Sequence, residues 1–198
     1  MTVSNINVRV GIGCFVTYRH QGTTYFLLGK RQGSHGSNTW GLPGGHLEMG
    51  ESWSDCAHRE ISEECNLILS DCQFVNATND IFDPQIRHYI TVFMKARVIS
   101  NADDNRDDND DCSSEQKMPP VATLMEPDKC KMWAWVSWHE MVRGAAIRRD
   151  ACDANVAGCF AKSDKLVKDG AEPLDFSALF LPLVNLIKLY GESGPPLD

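Results

Sequence analysis

Five glutamates and one arginine crowd into the stretch Gly45 to Leu67, which reads GHLEMGESWSDCAHREISEECNL. Ser52 is placed to cap free backbone N–H groups, and no Gly or Pro interrupts the run from there to Cys65, so the spacing predicts a helix. At about 100° per residue, Glu60 and Glu64 stand one turn apart and Glu63 lies beside them, forming one acidic wedge. Trp53, Ala57 and Ile61 recur at spacing four on its flank as the stripe to be buried. Like charges at such spacings cost an isolated helix roughly 0.2–0.5 kcal/mol per pair. A hard cation reverses that sign, and Mg²⁺ binds through one or two carboxylates together with substrate phosphates. The chemistry implied is metal-assisted attack on a phosphate ester or anhydride. An isolated E-x-x-E-E string would instead read as a solvated face.

The wider spacing decides between these readings. Gly45, Glu51, Arg59, Glu60, Ile61, Glu63, Glu64 and Leu67 fall on the pattern G-x5-E-x7-R-E-U-x-E-E-x-G-U, with U aliphatic, and only Asn66 replaces a glycine. The chain therefore resembles the Nudix hydrolases. Asn tolerates a left-handed backbone at a helix C-terminus, so the departure preserves the turn. The resemblance implies an α/β fold, the Nudix α/β/α sandwich with a mixed β-sheet and a catalytic loop-helix-loop. It also implies Mg²⁺ (or Mn²⁺) on Glu60, Glu64 and the Gly45 carbonyl. Glu63 would complete the shell or join Glu60 in activating water, and Arg59 would hold Glu51 and Glu60. Glu126 is a candidate further ligand.

The elements that must position this site can be read in order. Val8 to Tyr18 and Thr24 to Leu28 read as strands joined at Gln21-Gly22. They lead to Lys30 and Arg31, a cation pair beside the Gly- and Ser-rich loop from Gln32 to Ser37, which suits phosphate. Trp40 to Gly45 brings the chain into the acidic stretch. Ile68 to Thr78 and His88 to Ile99 read as strands around a loop from Asn79 to Arg87. Met132 to Val136 is an aromatic strand, Trp138 to Val142 a short helix, and Pro173 to Leu189 a helix with the apolar stripe Phe176, Leu179, Phe180, Leu183, Leu186 and Ile187.

The whole, residues 1–198, is expected to be one domain interrupted twice. The first insert, 101–120, is acidic, with the composition of a mobile segment and without the spacing of a calcium loop. The second runs from 143 to 172. A net charge of −8 argues against a general nucleic-acid or membrane binder. No apolar run approaches a membrane span, and Met1 to Val10 lacks the pattern of a signal peptide, so a cytoplasmic location is expected. The eight cysteines contain no C-x-x-C pair and read as free thiols.

Several segments narrow the resemblance to one branch: LLGKR from Leu27, LPGGHLE from Leu42, HYITVFMK from His88, EPDKC from Glu126 and WAWV from Trp133. That branch holds the nucleoside-triphosphate diphosphatases related to the human thiopurine-nucleotide diphosphatase and to plant cytosolic Nudix enzymes. It implies hydrolysis of canonical, oxidised or otherwise modified (d)NTPs to a nucleoside monophosphate and pyrophosphate, in a homodimer serving nucleotide-pool sanitation or control. By position, Leu42, Thr91, Phe180, Leu181 and Leu183 would approach the base, while Pro182 stands where related enzymes carry glycine. Two other readings remain. One is hydrolysis of NADH or another nucleoside-diphosphate-linked substrate. The other is nucleotide binding without cleavage.

Overall fold

The computed structural model describes residues 7–33, 36–83, 87–101, 119–151 and 174–197. Strands β1 (Arg9–His20) and β2 (Thr23–Arg31) form a hairpin through Gln21 and Gly22, both at positive φ, as a two-residue turn requires. They pair only from Thr17 opposite Phe26 to His20 opposite Thr23, and then diverge. The gap is filled by the chain around β3 (Trp40–Gly41). Gly29 and Lys30 of β2 pair with β3, while Cys14 N–H donates to Pro43 O (3.0 Å) and Ile12 N–H to Gly45 O (2.8 Å). A glycine-rich bend is thus wedged into the split of a hairpin.

Among the described residues the sheet has seven strands and is mixed. β1 runs parallel to β6 (Arg87–Asn101), with Arg9 opposite Tyr89 and Thr17 opposite Arg97. The outer edge of β2 takes β7 (Cys130–Ser137) antiparallel. Alternate side chains of β1 enter different cores. Ile12, Cys14 and Val16 meet α1 (Trp53–Cys65), and Phe15 meets the layer of α2 (Trp138–Ala151) and α3 (Leu181–Tyr190). Helices therefore cover both faces of the sheet, as an α/β/α sandwich requires.

Several boundaries differ from the sequence reading. Ile68 to Thr78 is two strands, β4 (Leu67–Leu69) and β5 (Gln73–Asp83), which run end to end along one edge of β6. Leu67 lies opposite Asn101 and Gln73 opposite Lys95, so the register resumes after a break at residues 70–72. The supposed loop from Asn79 is paired with β6 as far as Asp83, because its partners on β6 continue the ladder; residues 84–86 lie outside the described ones. α2 runs to Ala151, well past Val142. Ser137 and Glu140 form its capping box, Ser137 N–H donating to Glu140 Oε2 (2.8 Å) and Glu140 N–H to Ser137 Oγ (3.3 Å). Residues 143–151 of the second expected insert are therefore helical, and 152–172 lie outside the described residues, as do 102–118 of the first.

The last helix starts at Leu181, not near Pro173. Trp40 N–H donates to Ala178 O and Phe180 N–H to Trp40 O (both 2.8 Å), so Leu179 is drawn into a bridge with β3 and held out of the helix. On α1 the buried stripe is Cys56, Ala57, Ile61 and Cys65, whereas Trp53 is 45% exposed against Phe74. Trp53 sits in the first turn, beside Phe74 of β5.

Asn66 ends α1 at φ 54, ψ 41 and donates its N–H to Ser62 O (3.1 Å). The left-handed conformation costs a residue other than Gly or Asn about 1–2 kcal/mol. Asn66→Gly is expected to leave the urea unfolding midpoint nearly unchanged, and Asn66→Val to lower stability by about 1–2 kcal/mol.

Candidate active site

α1 is fixed at both ends, which sets the direction of its carboxylates. Ser52 Oγ accepts from Asp55 N–H (3.1 Å), and Asp55 Oδ2 accepts from Ser52 N–H (3.3 Å). From this helix Glu64 reaches the bend, where its Oε2 accepts from Gly44 N–H at 3.0 Å. Glu60 lies against the next residue: a Cβ on Gly45 would stand 2.2 Å from Glu60 Oε1. Gly44, at φ 138, presses on β1, where a Cβ would come within 2.1 Å of Ile12 O. Both glycines are therefore dictated by contact, one with a strand and one with a carboxylate.

Arg59 organises the remaining acids. Its Nε and Nη2 meet Glu51 Oε1 and Oε2 at 2.7 and 3.0 Å, a bidentate pair, and its Nη1 meets Glu60 Oε1 at 2.8 Å. Nη2 also donates to His46 O (3.2 Å), and Nη1 lies 3.4 Å from Glu63 Oε2. Glu48 N–H donates to Glu51 Oε2 (3.0 Å). The Arg59 hydrogen bonds, helped by the Glu48 N–H, hold the Glu51 carboxyl down at about 2. Those with Glu51 and then Glu60 push the Arg59 guanidinium up. Glu64 moves the other way: burial first, against the Gly44 hydrogen bond, and then the charges of Glu60 and Glu126 push it up to about 7. A carboxylate so placed gains from a cation.

Among the described residues no group of three His, Cys, Asp or Glu side chains converges as a ready metal cage. Glu63 explains this, since its side chain is 58% exposed and turned toward Arg59. What the bend does assemble is Glu60, Glu64 and the Gly45 carbonyl, which keeps a lone pair beside its bond from Ile12. Two carboxylates and a carbonyl fit a hard divalent ion that takes its other ligands from water and phosphate.

The site opens into a cleft of about 630 Å³ that includes Arg31, Gln32, Leu42, Gly44, Gly45, Arg59, Glu60, Glu63, Glu64 and Lys129 in its wall. Glu51 stands behind Arg59. Lys30 is not brought here: strand alternation sends it to the other face, where its Nζ lies 5.2 Å from the Trp40 ring centroid. Thr91 is half-buried in β6 between Gly11 and Thr78 and is not part of the cleft wall. Phe180 packs under the Arg31 guanidinium (4.3 Å) and against Phe82 (5.2 Å). Leu181 is half-buried at the start of α3, and Leu183, 1% exposed, belongs to the core on the α2 and α3 side. Pro182 stands in the first turn of α3, where a missing N–H breaks no helical bond. Glu126 accepts from Lys129 Nζ at 2.7 Å.

Three contributors were not singled out from sequence. Lys129 enters the wall because Gln32 N–H donates to its carbonyl (2.7 Å) and Gln32 Nε2 to Pro127 O (3.2 Å), tying two distant loops together. Trp133 covers Gly29, where a Cβ would stand 2.4 Å from its ring. His46 supplies its carbonyl to Arg59 and its ring to the Tyr89 hydroxyl (3.2 Å). Strand alternation placed Trp133 on the Gly29 face; nothing local marked the other two.

The NUDIX domain family model matches residues 7–154. Among solved structures, the chain is similar to a MutT NUDIX hydrolase from Burkholderia pseudomallei, with 21% identity over 67% of this chain and 84% of that one, at a TM-score of 0.51. It is also similar to the NUDIX domain of Shewanella oneidensis NrtR, crystallised with ADP ribose, with 14% identity over 69% and 77% of the two chains at a TM-score of 0.50. At these identities the structures speak for the fold. With the family match over most of its length, the chain belongs to the Nudix family.

A carboxyl at about 7 when folded, against roughly 4.3 when unfolded, binds more protons in the native state, so stability falls as pH rises through that window. In chelator, Glu64→Gln is expected to match the parent protein near pH 4 and to exceed it by on the order of 1–3 kcal/mol at pH 8. Urea unfolding at the two pH values measures the gap.

Proposed function

We propose that the protein is a Mg²⁺-dependent nucleoside-triphosphate diphosphatase, with Mn²⁺ as a substitute ion. It would cleave canonical, oxidised or otherwise modified (d)NTPs to a nucleoside monophosphate and pyrophosphate, in nucleotide-pool sanitation or control. The observation that carries this reading is the meeting of Glu60 and Glu64 at Gly44 and Gly45, on a cleft whose wall also holds the cations Arg31 and Lys129. A polyphosphate needs both: anionic oxygens to share a metal with it and cations to receive the charge that remains.

In this mechanism the Glu60 and Glu64 carboxylates and the Gly45 carbonyl would hold the ion. The chemistry supplied there by a bound ion would be neutralisation of phosphate charge and a more acidic water. Arg59 keeps Glu60 aimed at the bend while Glu51 anchors Arg59 from behind. Glu63, the exposed member, completes the shell or, with Glu60, orients the attacking water and takes its proton. Arg31 steadies the phosphates, with Phe180 fixing its guanidinium plane. Leu42 offers an apolar wall to the base, and Thr91, Leu181 and Glu126 act only if substrate draws their segments inward. The resemblance of sequence carries a homodimer and a cytoplasmic setting with the same reading.

The test is a panel of (d)NTPs, NADH and ADP-ribose incubated with Mg²⁺, with products identified by mass. Monophosphate plus pyrophosphate is the expected outcome for triphosphates. Glu64→Gln is expected to lower kcat by about 10²-fold or more, and Lys30→Ala to change it little. Nucleotide bound without any product, or full turnover by Glu64→Gln, overturns the reading; cleavage confined to NADH or ADP-ribose transfers it to the diphosphate-linked class.

A further inference from the structure

β5 turns one face toward α3, and that face is polar where a core would be apolar. Asn76, Thr78 and Asp80 alternate along it, and among the described residues Asp80 is the one charged side chain with no exposure at all, at 0%. Its Oδ1 accepts from Asn185 Nδ2 on α3 (2.8 Å) and its Oδ2 from Thr78 Oγ1 (2.9 Å). Lys188 fixes which way the Asn185 amide lies, because its Nζ can only donate and stands 3.2 Å from Asn185 Oδ1.

Two further contacts extend this tie along the helix. Asn76 Nδ2 donates to the Tyr190 hydroxyl (2.9 Å), and Phe82 packs on Phe180, the N-cap of α3 (5.2 Å). Positions 76, 80 and 82 on β5 thus meet 190, 185 and 180, so the helix lies antiparallel to the strand, tied at its end, its middle and its start. The start matters for the cleft. Phe180 underlies the Arg31 guanidinium (4.3 Å), and a Cβ on Gly41 would meet both side chains, Arg31 Cδ at 3.4 Å and Phe180 Cβ at 3.5 Å. Arg31 is part of the cleft wall; Asp80 is not. Burying a carboxylate among neutral donors is costly, and what it adds over an apolar contact is direction, since each oxygen accepts only where a donor points.

We propose that Asp80 is a positioning residue for phosphate recognition: through Asn185 it sets the register of α3 on β5, and with it the place of Phe180 beneath Arg31. The inference rests on the reading of Arg31 as a phosphate contact. It is separable from electrostatics by sign. A buried negative charge repels an anion, so Coulomb's law alone makes removal of the Asp80 carboxylate tighten phosphate binding. Loss of register makes the same change weaken it. Asp80→Asn keeps the register, because its amide oxygen still accepts from Asn185 and its amide nitrogen donates to the Thr78 hydroxyl, which accepts as well as donates. Asp80→Leu keeps neither bond.

The test titrates the full-length protein in Mg²⁺ with inorganic tripolyphosphate and reads Kd by calorimetry, which needs neither cleavage nor a choice of base. Arg31→Ala is expected to weaken binding by about tenfold or more. Asp80→Leu is expected to weaken it by about three- to tenfold in the parent and not at all in the Arg31→Ala background, a non-additivity that general loosening of the fold does not produce. Asp80→Asn is expected to stay within about twofold of the parent. Asn185→Leu, at a half-buried helical position that leucine suits, removes the same bond from the other side and keeps the test open if Asp80→Leu does not fold; the same pattern is expected of it. The inference alone is overturned if loss of the Asp80–Asn185 bond leaves binding unchanged or tighter, if its effect persists without Arg31, or if Asp80→Asn weakens binding as much as Asp80→Leu. Absence of binding by the unmutated protein overturns the polyphosphate reading itself, and this inference with it.

Discussion

The structure depends on two strands that part company. β1 and β2 begin as a tight hairpin, yet after Thr17 and Phe26 they no longer bond to each other, and unpaired backbone in a sheet interior is costly unless something else pairs with it. The bend from Trp40 to Leu47 does so. Pro43 O and Gly45 O accept from Cys14 and Ile12, and Leu47 N–H donates to Val10 O (3.1 Å). The same hydrogen bonds that close the sheet therefore hold Gly44 N–H toward Glu64 and Gly45 against Glu60. Stability and site are served by one set of contacts, and the two glycines cannot be exchanged without disturbing both.

Charge distribution follows from this placement. Four carboxylates and one guanidinium share the α1 edge, and they divide into two kinds. Glu51 and Glu60 share the single positive charge of Arg59, Glu51 bidentately, and both are held by it before any ligand arrives. Glu64 has only a backbone N–H and sits deeper, with Glu60 and Glu126 adding repulsion. The fold thus keeps one acid short of positive charge while its neighbours are held rigid. That is the electrostatic condition for a site that is pre-shaped but unsatisfied, and Arg59 is what prevents the surplus charge from spreading the cluster apart.

Much of this was legible in the spacing. The helix limits from Ser52 to Asn66, the alternation of β1 and the placing of Glu60 and Glu64 on one edge all follow from local rules, and each appears in the structure. The failures share a different cause: each was decided by a partner remote in sequence. Lys30 looked equivalent to Arg31 until β2 acquired Trp40 as a neighbour on one face and the cleft on the other. Trp53 fits the apolar period of α1 but stays 45% exposed beside Phe74 of β5. Phe176 and Leu179 have helical spacing, yet the backbone of Leu179 is claimed by Trp40. The break at residues 70–72 is invisible locally because Ile68 to Thr78 alternates well enough for one strand; only the β6 register exposes it.

The contrast between the two ends of the cleft follows from the same logic. At the end where Glu60 and Glu64 meet the bend, every participant lies within the 23 residues from Gly45 to Leu67 or hydrogen-bonds directly to them, so short-range rules suffice. At the Arg31 end, β2 meets the chain before α3 at Phe180, which in turn packs on Phe82 of β5, three segments whose approach is set by bridges and ring contacts across the whole fold. A reaction type can thus be written in a short motif, because metal and phosphate demand the same few oxygens each time. Proline at position 182 takes its meaning from the helix it begins: in the first turn it removes no helical hydrogen bond.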